Sequence, residues 1–335
     1  MRSTQYIRRQ LAELPSSGHG RVGVFVTSLI SVVGGTSGIG EATAREFVRY
    51  SISPRVYLLG RSQEQADRIK DEFRTLNPTS DVRFLQCDVS QLRNVDKLCE
   101  QIKAQEKSVN LLFLSAGIFH FRGREETKEG LDRKLALDCY SRLRFAENLL
   151  PLLRHASPGP SDQRGDGAIP ACARVITVLG GGNEKPVDVE DLAVERNYTV
   201  KAATNHAVTM TTLYFQRLSA APPNSGVAFI HTSPGMVKTN GDRELAALVR
   251  SAVTFVSWAF RPWVSTAQES GEQHLWAAAS DTFNGGRLYL LGRNNEFLDN
   301  SQVLQRLNDE GVSTRVWDHV REVFDRCCDS TDKTT

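Results

Sequence analysis

The chain has 335 residues, 40% of them apolar and 24% charged, which is enough apolar material for a full core and not the composition of a disordered chain. Lys plus Arg is 41 against 39 for Asp plus Glu, a formal charge of +2, so nothing general points to nucleic acid or an anionic membrane as partner. Six cysteines, four scattered and Cys327 and Cys328 adjacent, are too sparse for a disulfide scaffold, and with no C-x-x-C neither a zinc ribbon nor a thioredoxin-like site is indicated; no metal is expected, and a reducing cytoplasmic setting is the default.

Met1–Gln10 carries Arg2, Arg8 and Arg9 and reads as part of a frayed basic extension reaching to about residue 20. Next comes the apolar run Val22–Val33, too short to span a bilayer as a helix. Its two halves, Val22–Val26 and Leu29–Val33, are each long enough to be a first strand. Either the strand starts near Leu29 and the earlier half is an added segment, or a bulge lies near Thr27 and Ser28. Further β-like runs are Arg55–Leu59, Val82–Gln86, Leu111–Ser115, Arg174–Val178, Val227–His231 and Arg287–Leu291. Between them lie helical patterns over Glu41–Tyr50, Gln63–Thr75, Val95–Gln105, Leu131–Leu153, Thr204–Ala220 and Thr266–Ala279. Strand–helix alternation predicts parallel strands joined by crossover helices, and the continuous apolar strands predict cover on both faces. The expected fold is therefore α/β, one Rossmann-type doubly wound sheet of about seven strands over 21–295, with Ser157–Pro170 as a surface loop and a helical tail over 296–335.

Gly34-Gly35-Thr36-Ser37-Gly38-Ile39-Gly40 joins the first strand to the first crossover helix. A glycine after the strand permits a tight turn, Gly38 lets backbone approach a pyrophosphate, and Gly40 lets the helix pack closely on the sheet. The N–H groups of the loop and helix start then face the anion. The second strand ends at Gly60-Arg61-Ser62. A carboxylate there would bind the ribose 2′-hydroxyl of NAD; Arg61 offers a fork of donors for a 2′-phosphate and Ser62 adds a hydroxyl, which favours NADP (NADPH) as cofactor.

Gly34-x-x-x-Gly38-Ile39-Gly40 resembles the cofactor fingerprint of the short-chain dehydrogenase/reductase family. Asp88-Val89 resembles its adenine-contacting pair, and Leu114-Ser115-Ala116-Gly117 its Asn-Asn-Ala-Gly segment with the last two residues kept. Pro234-Gly235-Met236-Val237-Lys238-Thr239 resembles the Pro-Gly-x-Val-x-Thr segment at the nicotinamide end. The resemblance runs from about Arg21 to Leu291, with four motifs in order, and implies a Rossmann-type oxidoreductase. Asn205–Leu213 and Ser270–Leu275 are similar to fungal members associated with secondary metabolism.

The family's chemistry uses a tyrosine acid/base, a lysine four residues on, a serine and an asparagine. None of the seven tyrosines has a lysine four positions later. Tyr198 and Lys201, three apart, come nearest and are neighbours if a helix begins early. If Lys201 takes the lysine position, Asn197 stands at the tyrosine; in a second register the two positions fall near Ala203 and Ala207. Leu179 and Gly180 stand at the serine position and Asp138 at the asparagine. The titratable groups expected near the cleft are Tyr198, His206, Asp138, Tyr140, His231 and His120, with Tyr198 beside Lys201 the first choice for the proton. Thr177 is a β-branched strand residue that also has a hydroxyl to offer a substrate.

Leu245–Val264, within a lid expected over 241–265, is rich in Val, Leu, Phe and Trp, including Trp258 and Trp263. It suits a bulky apolar substrate, a helix packed on the core or a partner subunit, or, less well, a membrane surface. The leading function is an NADP-dependent oxidoreductase acting on an apolar carbonyl or alcohol in secondary metabolism. The alternatives are a non-redox isomerase, cyclase or dehydratase of the same fold, and a cofactor-sensing binding protein. A small apolar substrate is the expected partner, nucleic acid is not, and a homodimer is left open.

Overall fold

In the computed structural model, residues 4–12, 22–26, 38–118, 123–157, 172–238 and 264–329 are described. Seven parallel strands form one sheet: β1 (Val22–Val26), β2 (Arg55–Gly60), β3 (Asp81–Gln86), β4 (Leu111–Leu114), β5 (Ala173–Val178), β6 (Val227–Thr232) and, at the far edge, β9 (Arg287–Leu291). Their order is β3-β2-β1-β4-β5-β6-β9, so the chain reverses its direction of winding between β1 and β4. A crevice at the carboxyl ends of the strands opens at such a switch point. Of the two halves of the first apolar run, the earlier, Val22–Val26, is a strand of this sheet. Val22–Val26 pairs with Arg55–Leu59 on one side, and Gly23–Val26 with Leu111–Leu114 on the other. Leu29–Val33 lies outside the described residues.

A strand alternates its side chains between faces, so each buried strand feeds two cores. Val56, Leu58, Leu111, Phe113, Ile176 and Ile230 pack to one face. The helices α1 (Thr4–Ala12), α2 (Ile39–Tyr50) and α3 (Gln63–Leu76) cover that face with α8 (Ala267–Ala279). Tyr57, Leu59, Leu112, Leu114, Val175 and Phe229 pack to the other. That face carries α4 (Leu92–Gln105), α5 (Arg133–Leu135) continued by a π-helical turn (Ala136–Tyr140) and α6 (Ser141–Ala156), α7 (Val200–Ala220), α9 (Ser301–Asp309) and α10 (Val312–Phe324).

Side chains set several helix starts. Ser62 caps α3 by accepting the Gln65 N–H, Thr199 caps α7 by accepting the Ala202 N–H, and Thr266 with Glu269 forms a capping box on α8. The N-terminal stretch expected to fray is instead the docked helix α1. Ile7 and Leu11, four apart, are buried against the core, and Arg8 makes two bonds of 2.9 and 3.0 Å to the buried carboxylate of Glu272 on α8. Gly235, at φ +68, turns the chain from β6 into a further short strand, β7 (Met236–Lys238). It pairs with β8 (Val264–Thr266) in a separate two-stranded sheet. Around α7 the C-terminal helices are pinned by Trp317, stacked on Tyr214 at 4.6 Å and covered by the guanidinium of Arg217 at 4.3 Å.

Candidate cofactor crevice and active site

Gly38 is the N-cap of α2, in an extended conformation, and a Cβ built on it would meet nothing within 4 Å among the described residues. Among the described residues the face of the backbone at the helix start is therefore open, and the first-turn N–H groups of α2 have no i−4 acceptor within their own helix. Gly40, the second residue of α2, is buried as close helix packing requires. Gly34, Thr36 and Ser37 lie outside the described residues.

Arg61 follows β2 directly. Its Nη2 is buried and has no hydrogen-bond partner among the described residues, and burial pushes the guanidinium pKa down. A desolvated donor without an acceptor is costly for the folded chain. A phosphate monoester would satisfy it bidentately, so this position fits the 2′-phosphate of NADP. Ser62 is largely committed elsewhere: its oxygen caps α3, which leaves only its hydroxyl hydrogen to donate. Asp88 holds its own turn by accepting the Ser90 N–H (3.0 Å) and hydroxyl (2.8 Å), with Val89 buried behind it. Pro234, Gly235 and Val237 follow β6 at the same edge; Thr239 lies outside the described residues.

Beneath Gly117, just past β4, three charged side chains are buried together. Asp138 lies on the π-helical turn, a local underwinding often found at functional sites. A Cβ on Gly117 would come within 2.6 Å of Asp138 Oδ1 and 3.4 Å of Arg142 Nη2, so glycine is what lets the two side chains lie under that strand end. Lys134 Nζ donates to Asp138 Oδ2 at 2.6 Å and to the Ile118 carbonyl at 3.3 Å. Arg142 spreads its donors over carbonyls and a hydroxyl: Nε to Ala116 O and Leu137 O, Nη1 to Thr177 Oγ1 and Val178 O, Nη2 to Ala116 O. It thereby ties the carboxyl end of β4 to that of β5. Thr177, weighed above as a substrate contact, is fully buried and engaged by Arg142.

Tyr198 and Lys201 are not brought onto one helical face. Thr199 is the N-cap of α7, so Tyr198 precedes the helix, and Lys201 in its first turn is exposed. The Tyr198 hydroxyl is nevertheless buried with no hydrogen-bond partner among the described residues. Burial and the carboxylates of Asp132, Asp138 and Glu125 push its pKa up to about 12, so the phenol stays protonated at neutral pH.

Two of the histidines considered as proton carriers, His206 and His231, are structural. His206 accepts the Asp188 N–H at Nε2 and donates from Nδ1 to Leu192 O, pinning the segment before α7. His319, on α10, bonds the buried Tyr140 hydroxyl at 2.8 Å. His120 lies outside the described residues. His231 is fully buried on β6, accepts the Gly180 N–H at Nε2 (3.3 Å) and meets Thr212 Oγ1 from Nδ1 (2.8 Å). The Thr212 hydroxyl donates to Glu184 at 2.7 Å, and that buried carboxylate also takes the Gly182 N–H and the side-chain amide of Asn300. This chain fixes the backbone at the end of β5. Since Nε2 accepts, the neutral ring carries its proton on Nδ1 and donates it to Thr212. The sequence reading missed Lys134, Arg142, Glu184 and Thr212. Spacing could have flagged the first two, because Lys134, Asp138 and Arg142 recur every four residues within an apolar helical pattern. Glu184 and Thr212 meet only through tertiary packing.

The sheet order defines a doubly wound α/β fold of Rossmann type. The short chain dehydrogenase family profile matches residues 28–160. The chain is 34% identical to oxidoreductase AN1596 of Emericella nidulans over 321 residues, covering 88% of this chain and 92% of that protein. It is 31% identical over 326 residues to the NmrA-like family domain-containing oxidoreductase notO of an Aspergillus species, covering 90% and 91%. Among solved structures it resembles L-sorbose reductase from Gluconobacter frateurii, at a TM-score of 0.59 and 16% identity, over 85% of this chain and 99% of that one. The chain belongs to the short-chain dehydrogenase family and is an oxidoreductase of that family. No helix among the described residues is long and apolar enough to cross a membrane.

Proposed function

We propose that the protein is an NADP-dependent oxidoreductase that reduces an apolar carbonyl compound, in fungal secondary metabolism. The observation that carries this reading is the buried Nη2 of Arg61 at the end of β2, which has no hydrogen-bond partner among the described residues. Arg61 binds the 2′-phosphate and Ser62 donates its remaining hydroxyl hydrogen. Gly34, Thr36, Ser37, Gly38, Ile39 and Gly40 take the pyrophosphate on backbone N–H groups. Asp88 and Val89 border the adenine, Ala116 and Gly117 line the crevice past β4, and Pro234, Gly235, Val237 and Thr239 receive the nicotinamide end. When bound, NADPH supplies a hydride to the substrate carbonyl carbon.

Tyr198 supplies the accompanying proton to the carbonyl oxygen from its buried hydroxyl. A phenol held at about 12 donates to a developing alkoxide but is a poor base at neutral pH, so the protein works as a reductase. Asp138 orders the site from beneath Gly117, and Lys201, exposed, takes no part. The oxidoreductase names of the relatives support redox chemistry. The apolar composition of the lid expected over 241–265 supports the substrate class; 241–263 lie outside the described residues, and Val264 and Ser265 belong to β8.

The test is nicotinamide absorbance during incubation with NADPH and a panel of bulky apolar ketones, with NADH as the comparison. NADPH oxidation that depends on the ketone is the expected result. Product formed with no change in absorbance would replace this reading with an isomerase, cyclase or dehydratase.

A further inference from the structure

Tyr198 is not the only buried donor left over beside the start of α7. Arg124 opens a hairpin over 124–133, closed by the Glu126–Asp132 bridge and by the Arg133 N–H, which donates to Glu125 O at 2.7 Å. Near the hairpin's tip, the Glu129 carboxylate accepts the Leu92 and Arg93 N–H groups at the start of α4, at 2.7 and 3.0 Å. Its base lies against the segment before α7, where Arg124 Nη2 is 3.8 Å from Glu195 Oε1. That segment is held as well, because the Asp191 carboxylate accepts the N–H groups of Glu195, Arg196 and Asn197, directly before Tyr198. Asp132, Glu125 and Arg124 of the hairpin all act on the Tyr198 phenol, so two fixed segments face each other here. Arg124 Nη1 donates to Glu126, but its Nε is buried and, like the Tyr198 hydroxyl, has no hydrogen-bond partner among the described residues. Each such donor is costly for the folded chain, and two on facing segments point to a ligand that brings acceptors. Glu126 and Glu195 already match the guanidinium charge, so a carboxylate or phosphate gains nothing there and meets two like charges. The group that fits is a neutral oxygen. Among Asp132, Asp138, Glu125 and Arg124, Arg124 acts most weakly on the phenol, so the guanidinium stands off from the hydroxyl and the two donors address different atoms.

We propose that Arg124 Nε is a second substrate-binding donor, and that the substrate is a neutral ketone carrying a second oxygen close to the reacting carbonyl, as in a hydroxyketone or a diketone. The inference deepens the reductase reading above and rests on Tyr198 as its proton donor. Tyr198 takes the reacting oxygen and Arg124 Nε takes the other. Arg124 is then a specificity determinant, because a ketone without the second oxygen leaves that donor unpaired in the complex.

Matched ketones test it by NADPH oxidation. Benzoin is compared with deoxybenzoin, which lacks the oxygen on the adjacent carbon, and dibenzoylmethane with dihydrochalcone, which lacks the oxygen one carbon further. In the parent, kcat/KM should favour the oxygenated member of at least one pair by about ten- to a hundredfold. Arg124→Lys keeps the charge that faces Glu126 and Glu195 and deletes the Nε–H; it should bring that ratio to within about threefold of one. Tyr198→Phe should slow both members and leave the ratio at its parental value, which separates the two roles. A parent without preference in either pair, or a preference that survives Arg124→Lys, overturns the proposal. A carboxylate-bearing ketone turned over better than the neutral ones overturns it too. If Arg124→Lys does not fold, the parental ratios decide, and ratios near one are the contrary result. A parent that oxidises NADPH with other apolar ketones but with none of these four overturns this inference and leaves the reductase reading intact, whereas a parent that oxidises NADPH with no ketone overturns both.

Discussion

Replacing Thr212 by valine removes one hydroxyl from the centre of the buried chain Glu184–Thr212–His231 and keeps the volume. The hydroxyl is 2.8 Å from His231 Nδ1 and 2.7 Å from Glu184 Oε1, and both bonds go. On the His231 side, Nε2 accepts the Gly180 N–H, so the proton on Nδ1 is left facing a methyl group in a fully buried position. An orphaned buried donor costs about 1–3 kcal/mol. On the Glu184 side, the carboxylate keeps the Gly182 N–H and the Asn300 amide but loses a charge-assisted bond worth about 1.5–3 kcal/mol. Because the neighbours can relax by a few tenths of an ångström, the lower half of the combined range applies, about 3–4 kcal/mol of destabilisation. Urea unfolding followed by circular dichroism measures it as a lower midpoint at unchanged slope. Thr212→Ser, which keeps the hydroxyl, should recover most of the loss. A valine variant within about 1 kcal/mol of the parent would refute the chain as drawn.

Acid should destabilise the fold in a defined window. His231 is held neutral with a pKa of about 3, and His274 and His319 of about 4, all by burial. The unfolded chain takes up these protons near the usual 6.5 and the folded chain does not, so stability falls as pH drops from about 6.5 toward about 4. Each histidine costs about 2 kcal/mol by pH 5, read as a falling melting temperature between about pH 7 and pH 5. A flat profile across that window would count against the buried neutral rings. Tyr198→Phe deletes only the hydroxyl and should lower ketone reduction by about 10²–10⁴-fold with NADPH binding unchanged. Reduction at the parental rate would remove Tyr198 from the mechanism.

The sheet was legible because strands covered on both faces are continuous apolar runs, and those from Arg55 onward fall within a residue or two of their expected bounds. The first strand was not, because Val22–Val26 and Leu29–Val33 carry equivalent patterns, and the pairing of Val22–Val26 with β2 and β4 is tertiary. The docked helix α1 had a signal that basic residues masked: Ile7 and Leu11 share a face, and Arg8 meets a carboxylate 264 residues away. At the site, Arg61 and the glycine loop were readable because phosphate binding is local to one turn and one strand end. The pairing of Tyr198 with Lys201 failed because Thr199 caps the helix between them. The buried charges at Lys134, Asp138 and Arg142 required the unusual step of reading charge as core.

Cofactor choice tests the central claim most directly. NADPH and NADH are titrated against the parent and Arg61→Ala by calorimetry. The parent should bind NADPH more tightly than NADH, and Arg61→Ala should lose about 1.5–3 kcal/mol of NADPH binding, about ten- to a hundredfold in affinity, while NADH binding stays as it was. Equal affinity of the unmodified protein for the two nucleotides would contradict the assignment of Arg61 to a 2′-phosphate, and with it the NADP-dependent function.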